Sequence, residues 1–297
     1  MKILNFGSLN IDKVYRVAHF VRAGETVASA GYQCFPGGKG LNQSIAAARA
    51  GQKVFHAGTV GEDGLFLLDT LRKGGVDTRY VRTSGSITGH ALIQVDDAGE
   101  NCIILYPGSN FENEEEYVDE VLRDFEGPDI LLLQNEINGL EQLLRKGREK
   151  GLRIMLNPSP MEERLKGMDL SAVTWLMLNE TEGREITGES EPDRITDCLL
   201  QRYPDMRVVL TLGEKGAVYR DRGEYLRQPA FPVRAVDTTA AGDTFTGYFI
   251  AAAAEGKKNG EALKLAAAAA SLAVSRQGAA VSIPERAQVE DMIQNAE

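Results

Sequence analysis

Cysteine is scarce: Cys34, Cys102 and Cys198 are the only three in 297 residues. They are too scattered, and odd in number, to form a disulfide framework or a zinc knuckle. Histidine is as sparse. His19, His56 and His90 lack the paired spacing of a metal cluster or a catalytic triad, so each reads as structural. Basic residues form no block, and 33 Lys and Arg against 43 Asp and Glu leave a net charge of −10. Such a balance lacks the footprint of nucleic-acid binding and would be repelled by an anionic membrane surface. No long apolar run occurs either. LAAAAASLAV at 265–274 falls well short of the roughly 20 residues of a membrane span, and MKILNFGSLNID turns polar too early for a signal peptide. The expectation is a protein of a reducing compartment, the cytoplasm, with no nucleic-acid or membrane partner. Also absent are GxGxxG after the first apolar run, GxxxxGK[ST], HExxH and GxSxG, which removes the dinucleotide fingerprint, the P-loop, the zincin helix and the hydrolase elbow.

What is present is an ordinary globular mix, 43% hydrophobic and 26% charged, in a chain long enough for a substantial core. Short, nearly continuous apolar runs at 2–6, 54–60, 129–134, 153–157, 175–178 and 208–212 predict strands buried on both faces of a parallel sheet. Helical patterns at 41–51, 65–75, 140–151 and 195–203 separate them, several ending in Gly. The alternation predicts a three-layer α/β/α fold with a mostly parallel central sheet, in one domain spanning 1–297. Stretches 12–17 with 25–35, and 88–95 with 102–106, alternate polar and apolar residues. They read as a small antiparallel β-sheet lid inserted from about 12–35 and 88–106. The acidic run at 112–120 reads as a solvated first turn of a helix.

Ligands of an open α/β sheet sit beyond the carboxyl ends of its strands. Here those ends lead into GSLNID, QNE, NPSP, NETE and LGEKG, a convergence of polar exits that marks one crevice. Two longer motifs stand out. FPGGKGLNQSIAAARAG at 35–51 offers glycines for close backbone approach, the cation of Lys39, and a helix opened by Asn42 and Gln43. A plain Gly-rich turn before a helix explains it as well. VDTTAAGDTFTGYFIAAAA at 236–254 places Ala240, Ala241 and Gly242 at a helix N-terminus, where their amides suit an anion, with Asp243 alongside. Asp243 could be only an N-cap, but one cap does not call for Asp237, two threonines and three tiny residues in the same turn. The set fits phosphoryl transfer, with Asp243 as base and the three amides as the anion hole. An aspartate of ordinary pKa, about 3.9, would already be ionised at neutral pH.

GSLNID (7–12), GGKGLNQ (37–43), LNETE (178–182) and DTTAAGDTFTG (237–247), in this order across nearly the whole chain, resemble the signatures of the ribokinase-like carbohydrate kinase family. GGKGxNQ is nearer to the ribokinase branch than to the fructokinase or adenosine kinase branches. The resemblance implies transfer of the γ-phosphoryl group of ATP to a sugar hydroxymethyl, with D-ribose giving ribose 5-phosphate the expected reaction. It carries sugar contacts onto Asn10, Asp12, Gly38, Lys39, Asn42 and Glu136. Asn10 and Asp12 could instead be turn residues, and Glu136 a helix-start acid, since its neighbour Asn135 departs from the expected Leu. Asn179 and Glu182 resemble the motif near the phosphates, with Glu182 reaching Mg2+ through water; a capping box explains the same pair, and both can hold at once. Thr211, Gly213 and Gly216 lie where the family touches nucleotide. Asp237, Thr239 and the segment 275–282, with Ser282 as the guess, resemble a monovalent-cation site, expected to take K+. A homodimer paired through the lids is expected too. Two alternatives remain open: a kinase of the same fold for another sugar or a nucleoside, with Ala91, Ile93 and Ile104 of the lid setting the pocket, and a catalytically silent sugar-binding or regulatory protein.

Overall fold

Apolar runs and amphipathic segments alternate along the chain, and the computed structural model, which describes residues 1–296, turns them into two sheets and ten helices among those residues. The chain opens with β1 (Ile3–Phe6), sends out β2 (Asn10–Arg16) and β3 (Gly31–Gly37), then returns through α1 (Lys39–Arg49) to β4 (Val54–Gly61). After α2 (Leu65–Lys73) and β5 (Asp77–Ser84) it leaves again as β6 (Gly89–Val95) and β7 (Asn101–Tyr106), and α3 (Glu115–Leu122) leads back to β8 (Ile130–Gln134). Then come α4 (Leu140–Glu149), β9 (Arg153–Asn157), the short α5 (Glu163–Lys166), β10 (Trp175–Asn179), α6 (Glu180–Thr187), α7 (Pro192–Arg202) and β11 (Arg207–Thr211). A hairpin, β12 (Ala217–Arg220) and β13 (Tyr225–Gln228), precedes α8 (Ala241–Ala254), α9 (Asn259–Val274) and α10 (Arg286–Asn295).

Nine strands form one sheet in the order β13-β12-β11-β10-β9-β8-β1-β4-β5. It is parallel from β11 to β5, and the two remaining pairings, β11–β12 and β12–β13, are antiparallel. Alternate residues of the buried strands feed opposite layers. Ile3, Ile130, Leu132, Met155, Met177 and Val209 pack with α1, α8 and α9, whereas Leu4, Phe6, Leu131, Leu133, Ile154, Leu156 and Leu178 pack with α3, α4 and α7. A period of two with both faces apolar is what a strand needs between two helical layers. Each such side chain contributes about 1.5–3 kcal/mol on burial.

The lid is a four-stranded sheet in the order β3-β2-β6-β7. It departs from the expected antiparallel sheet, because β2 and β6 run parallel while β2–β3 and β6–β7 are antiparallel. The reason lies in the large sheet: β2 follows β1 and β6 follows β5, and strands of one parallel sheet send their continuations out of the same end. Residues 25–30 lie outside the strand, which begins at Gly31. Paired residues share a face, so Asp12, Phe35, Ala91 and Leu105 lie on one side of the lid and Lys13, Cys34, Leu92 and Ile104 on the other. Ile104 is therefore not a pocket residue beside Ala91 and Ile93; Ile103 takes that face.

Candidate active site

Two helix N-termini meet where the large sheet's strands end. Gly38 caps α1 without a side-chain bond at φ +96°, and a Cβ there would stand 2.9 Å from the Asn10 amide nitrogen, so backbone packs directly on backbone. Four residues past Asp243, Gly247 lets α8 press on α1: a Cβ at Gly247 would fall 2.3 Å from the Ala46 Cβ. Asn42 and Gln43 sit about one turn before Ala46 and Ala47, as Asp243 sits before Gly247, so the close crossing brings the first turns of both helices together. The result is a pair of bonds onto one carboxylate. Asn42 Nδ2 donates to Asp243 Oδ2 at 3.0 Å and Gln43 Nε2 donates to Oδ1 at 2.9 Å.

A cavity of about 120 Å³ opens beside this carboxylate, lined among others by Lys39, Asn157, Asn179, Glu182, Thr211 and Gly242. Asp243 is only 8% exposed, yet it lines that cavity. Burial pushes its carboxyl above the ordinary range, and Lys39 with the bonds from Gln43 and Asn42 opposes the rise. Asp243 is therefore not an ordinary aspartate, since burial and these partners act on its carboxyl in opposite directions. Burial also works against the charge of Lys39, but Asp243, Glu136, Glu182 and Asp12 together hold its ammonium above its usual value. Asp12 is pushed up to about 7 by burial, then by the charges of Glu136 and Asp243, with Lys39 in opposition.

The remaining expected residues divide. Glu136 Oε2 accepts the Lys39 amide at 3.0 Å and the Ser8 hydroxyl at 2.5 Å, tying the β1 exit to α1. Asn10 is buried, its Oδ1 accepting from Asn110 Nδ2 at 2.7 Å. Asn135 is spent on the local loop, bonding Arg164 and the Pro160 carbonyl. At α8 the amide of Ala241 is committed to the Thr238 carbonyl at 3.2 Å. Among the described residues the Gly242 amide has no such partner. The expected hollow of three amides is correspondingly narrower. Asn179 and Glu182 form the capping box, each side chain accepting the other's backbone N–H at 2.9 Å, while both also line the cavity. Thr211 lines it as well, whereas Gly213 and Gly216 lie in the turn to β12. Asp237 accepts from the Thr239 and Gly278 amides, 2.9 Å each, and Ser282 is buried with its hydroxyl on the Ala279 carbonyl. Despite burial, the Thr239 hydroxyl first and then those amides hold the Asp237 carboxyl below its ordinary value. Thr239 reaches the cavity; Asp237 and Ser282 do not line it.

The family model described as "pfkB family carbohydrate kinase" matches residues 1–286. The chain belongs to the pfkB family of carbohydrate kinases. A ribokinase of Haemophilus influenzae is 36% identical over 98% of this chain and 97% of its own. The structure of a ribokinase from Thermotoga maritima superposes with a TM-score of 0.88 at 34% identity, covering 99% of both chains. That of Arabidopsis thaliana ribokinase complexed with ribose and ATP superposes at 0.87 and 31% identity over 98% of both.

Within this pfkB-family chain, sequence reasoning passed over several residues around the carboxylate. Gln43 lay inside a quoted motif with no task assigned to it. Gln134 and Asn157 end β8 and β9, where polar strand exits were the only signal available. Gln134 Nε2 reaches Gln43 Oε1 at 2.8 Å, and Gln43 Nε2 reaches Asn157 Oδ1 at 3.2 Å. His56 proves structural as expected, fully buried and held down to about 4 by desolvation, hence neutral.

Proposed function

We propose that this kinase transfers the γ-phosphoryl group of ATP to the primary hydroxyl of D-ribose, giving ribose 5-phosphate and ADP. The observation that carries the reading is the Asp243 carboxylate at the wall of a cavity shared with Lys39, Glu182 and Thr211, next to the N-terminus of α8. A base there accepts the hydroxyl proton as oxygen attacks phosphorus, and the Gly242 amide with the helix N-terminus faces the charge on the phosphoryl oxygens. Asn10, Asp12, Gly38, Lys39, Asn42 and Glu136 are assigned to the sugar, whose several hydroxyls need paired donors and acceptors. Asn179, Thr211, Gly213 and Gly216 are assigned to the nucleotide. Ribokinases as relatives over nearly the whole chain favour ribose over other acceptors.

Among the described residues no three His, Cys, Asp or Glu side chains gather into a metal cluster. Glu182 has one carboxylate oxygen on the Asn179 amide and faces the cavity, which suits contact through water with an ion carried by the phosphates. An Mg2+ ion held there would neutralise phosphate charge. Around Asp237 the carboxylate is already spent on amides, so K+ would be held by carbonyls of the 236–239 and 274–282 segments, which two bonds onto the Val274 carbonyl bring together. The lid leaves all of β7 exposed, with Ile103 50%, Leu105 47% and Tyr106 49% accessible, and pairing of two lids in a homodimer would cover it. No helix among the described residues is long and apolar enough to cross a membrane.

ADP release assayed with pentoses, hexoses and nucleosides tests the reading. Ribose is expected to be the preferred acceptor, and turnover of fructose or a nucleoside with none of ribose overturns it. Asp243→Asn is expected to bind ribose by calorimetry while losing roughly 10²–10⁴ in kcat. Unchanged turnover would remove the base.

A further inference from the structure

Behind the Asp243 carboxylate runs a file of polar side chains, Gln43, Gln134, Asn5, Ser44 and His56, each 0% exposed. Apolar residues would fill a sheet–helix interior more cheaply than five polar ones. The orientation of every member follows from acceptors that cannot donate. The Gly7 carbonyl accepts from His56 Nε2 at 3.2 Å, which leaves Nδ1 of the neutral ring to accept the Ser44 hydroxyl at 2.8 Å. Ser44 Oγ accepts from Asn5 Nδ2 at 2.8 Å, and Asn5 Oδ1 accepts from Gln134 Nε2 at 3.0 Å. The second proton of Gln134 Nε2 goes to Gln43 Oε1 at 2.8 Å. With its oxygen so occupied, Gln43 turns its NH2 toward Asp243 Oδ1 and Asn157 Oδ1. Asn157 is itself held, its Nδ2 on the Met177 carbonyl at 3.0 Å.

We propose that Gln43, locked by Gln134, is a positioning residue that fixes the plane of the Asp243 carboxylate and guarantees it a donor on Oδ1. Gln43 is fully buried and absent from the cavity wall, so its part in the reaction runs through Asp243. The inference rests on the reading of Asp243 as the base. Lys39 on α1, Asp12 on β2 and Glu136 after β8 are the charged groups that act on this carboxylate, Glu182 on α6 shares its cavity, and all of them remain in the variants below. The Gln43 bond favours the ionised carboxylate, so its loss has a direction: protonation of the base at higher pH.

The test is steady-state ADP release against pH, on the sugar the wild-type enzyme turns over best, for Gln43→Met, Gln134→Met, Ser44→Ala and Asp243→Asn. Gln43→Met is expected to lower kcat roughly 10- to 100-fold with KM for the sugar within about 3-fold, and to move the acid limb of kcat up by about one pH unit. Gln134→Met moves both in the same direction by less, and it decides the matter should Gln43→Met fail to melt cooperatively. Ser44→Ala removes the His56 contact and one of two acceptors of Asn5 Nδ2, which the Gly40 carbonyl still holds at 2.8 Å, and so leaves the limb in place. A wild-type kcat and acid limb in Gln43→Met, or in Gln134→Met where that variant decides, overturns the inference, as does an equal movement in Ser44→Ala. Turnover retained by Asp243→Asn would instead overturn the base itself.

Discussion

Asp12 is a residue whose proposed contact with the sugar costs the empty protein stability, and that cost depends on pH. Its carboxyl is carried from 3.8 to about 7 by burial and by the charges of Glu136 and Asp243. At about 1.4 kcal/mol per pH unit the displacement amounts to roughly 4 kcal/mol, and partial solvent access to the side chain reduces it to roughly 2–3. The native carboxyl keeps its proton longer than the unfolded one, so the penalty is absent below 3.8, grows as pH climbs to about 7, and is constant above. Asp12→Asn keeps the shape and removes the charge. Without sugar or nucleotide it should melt higher than the wild-type protein, by roughly 4–6 °C at pH 8 and by little at pH 4. Calorimetry or circular dichroism across that range reads the difference. Ribose affinity in the same variant should fall at least tenfold at pH 8. A melting difference that does not vary with pH, or a variant less stable at pH 8, would refute the account of Asp12 as a strained, partly protonated carboxylate.

Gly247→Ala puts a methyl group 2.3 Å from the Ala46 Cβ, so α1 and α8 must separate. A loss of about 1–3 kcal/mol in urea unfolding is expected, together with a lower kcat as Asn42 and Gln43 draw back from Asp243; full activity would show that the crossing does not set the site. Asn179→Ala removes the cap of α6 and should cost about 1 kcal/mol, which Asn179→Asp restores. A rise in KM for MgATP in the alanine variant alone would tie the cap to the nucleotide, and an unchanged KM would confine it to stability. Light scattering at micromolar concentration should report a dimer that Ile103→Glu weakens. A monomer throughout would remove the lid pairing.

Six strands of the large sheet, β1, β4 and β8 to β11, were legible because they are buried apolar runs, whereas β5, β12 and β13 were not expected, β5 and β13 being partly exposed and mixed in polarity. The lid was legible as strands, but its pairing was not, since the direction of β2 relative to β6 is set by where β1 and β5 stand in the other sheet. A wrong pairing scheme misplaces side chains, which is why Ile104 was expected beside Ala91 and is found on the opposite face. Asp243 and Lys39 could be picked out because their motifs put reactive groups at helix starts. Gln134 and Asn157 could not, because a polar residue at a strand end has the same local signature whether it faces solvent or a neighbouring amide.

Residue order alone determined the layered α/β class, the two helix starts and the acid proposed as base, because burial period, turn chemistry and helix N-termini are local properties of the chain. Tertiary structure decided which groups share that acid. Two helices separated by about 200 positions meet at Gly247 and Ala46, and only their contact places amide donors on Asp243 and carboxylates around Lys39. Ionisation depends on burial and on neighbouring charge, neither of which is a property of any stretch of sequence taken alone.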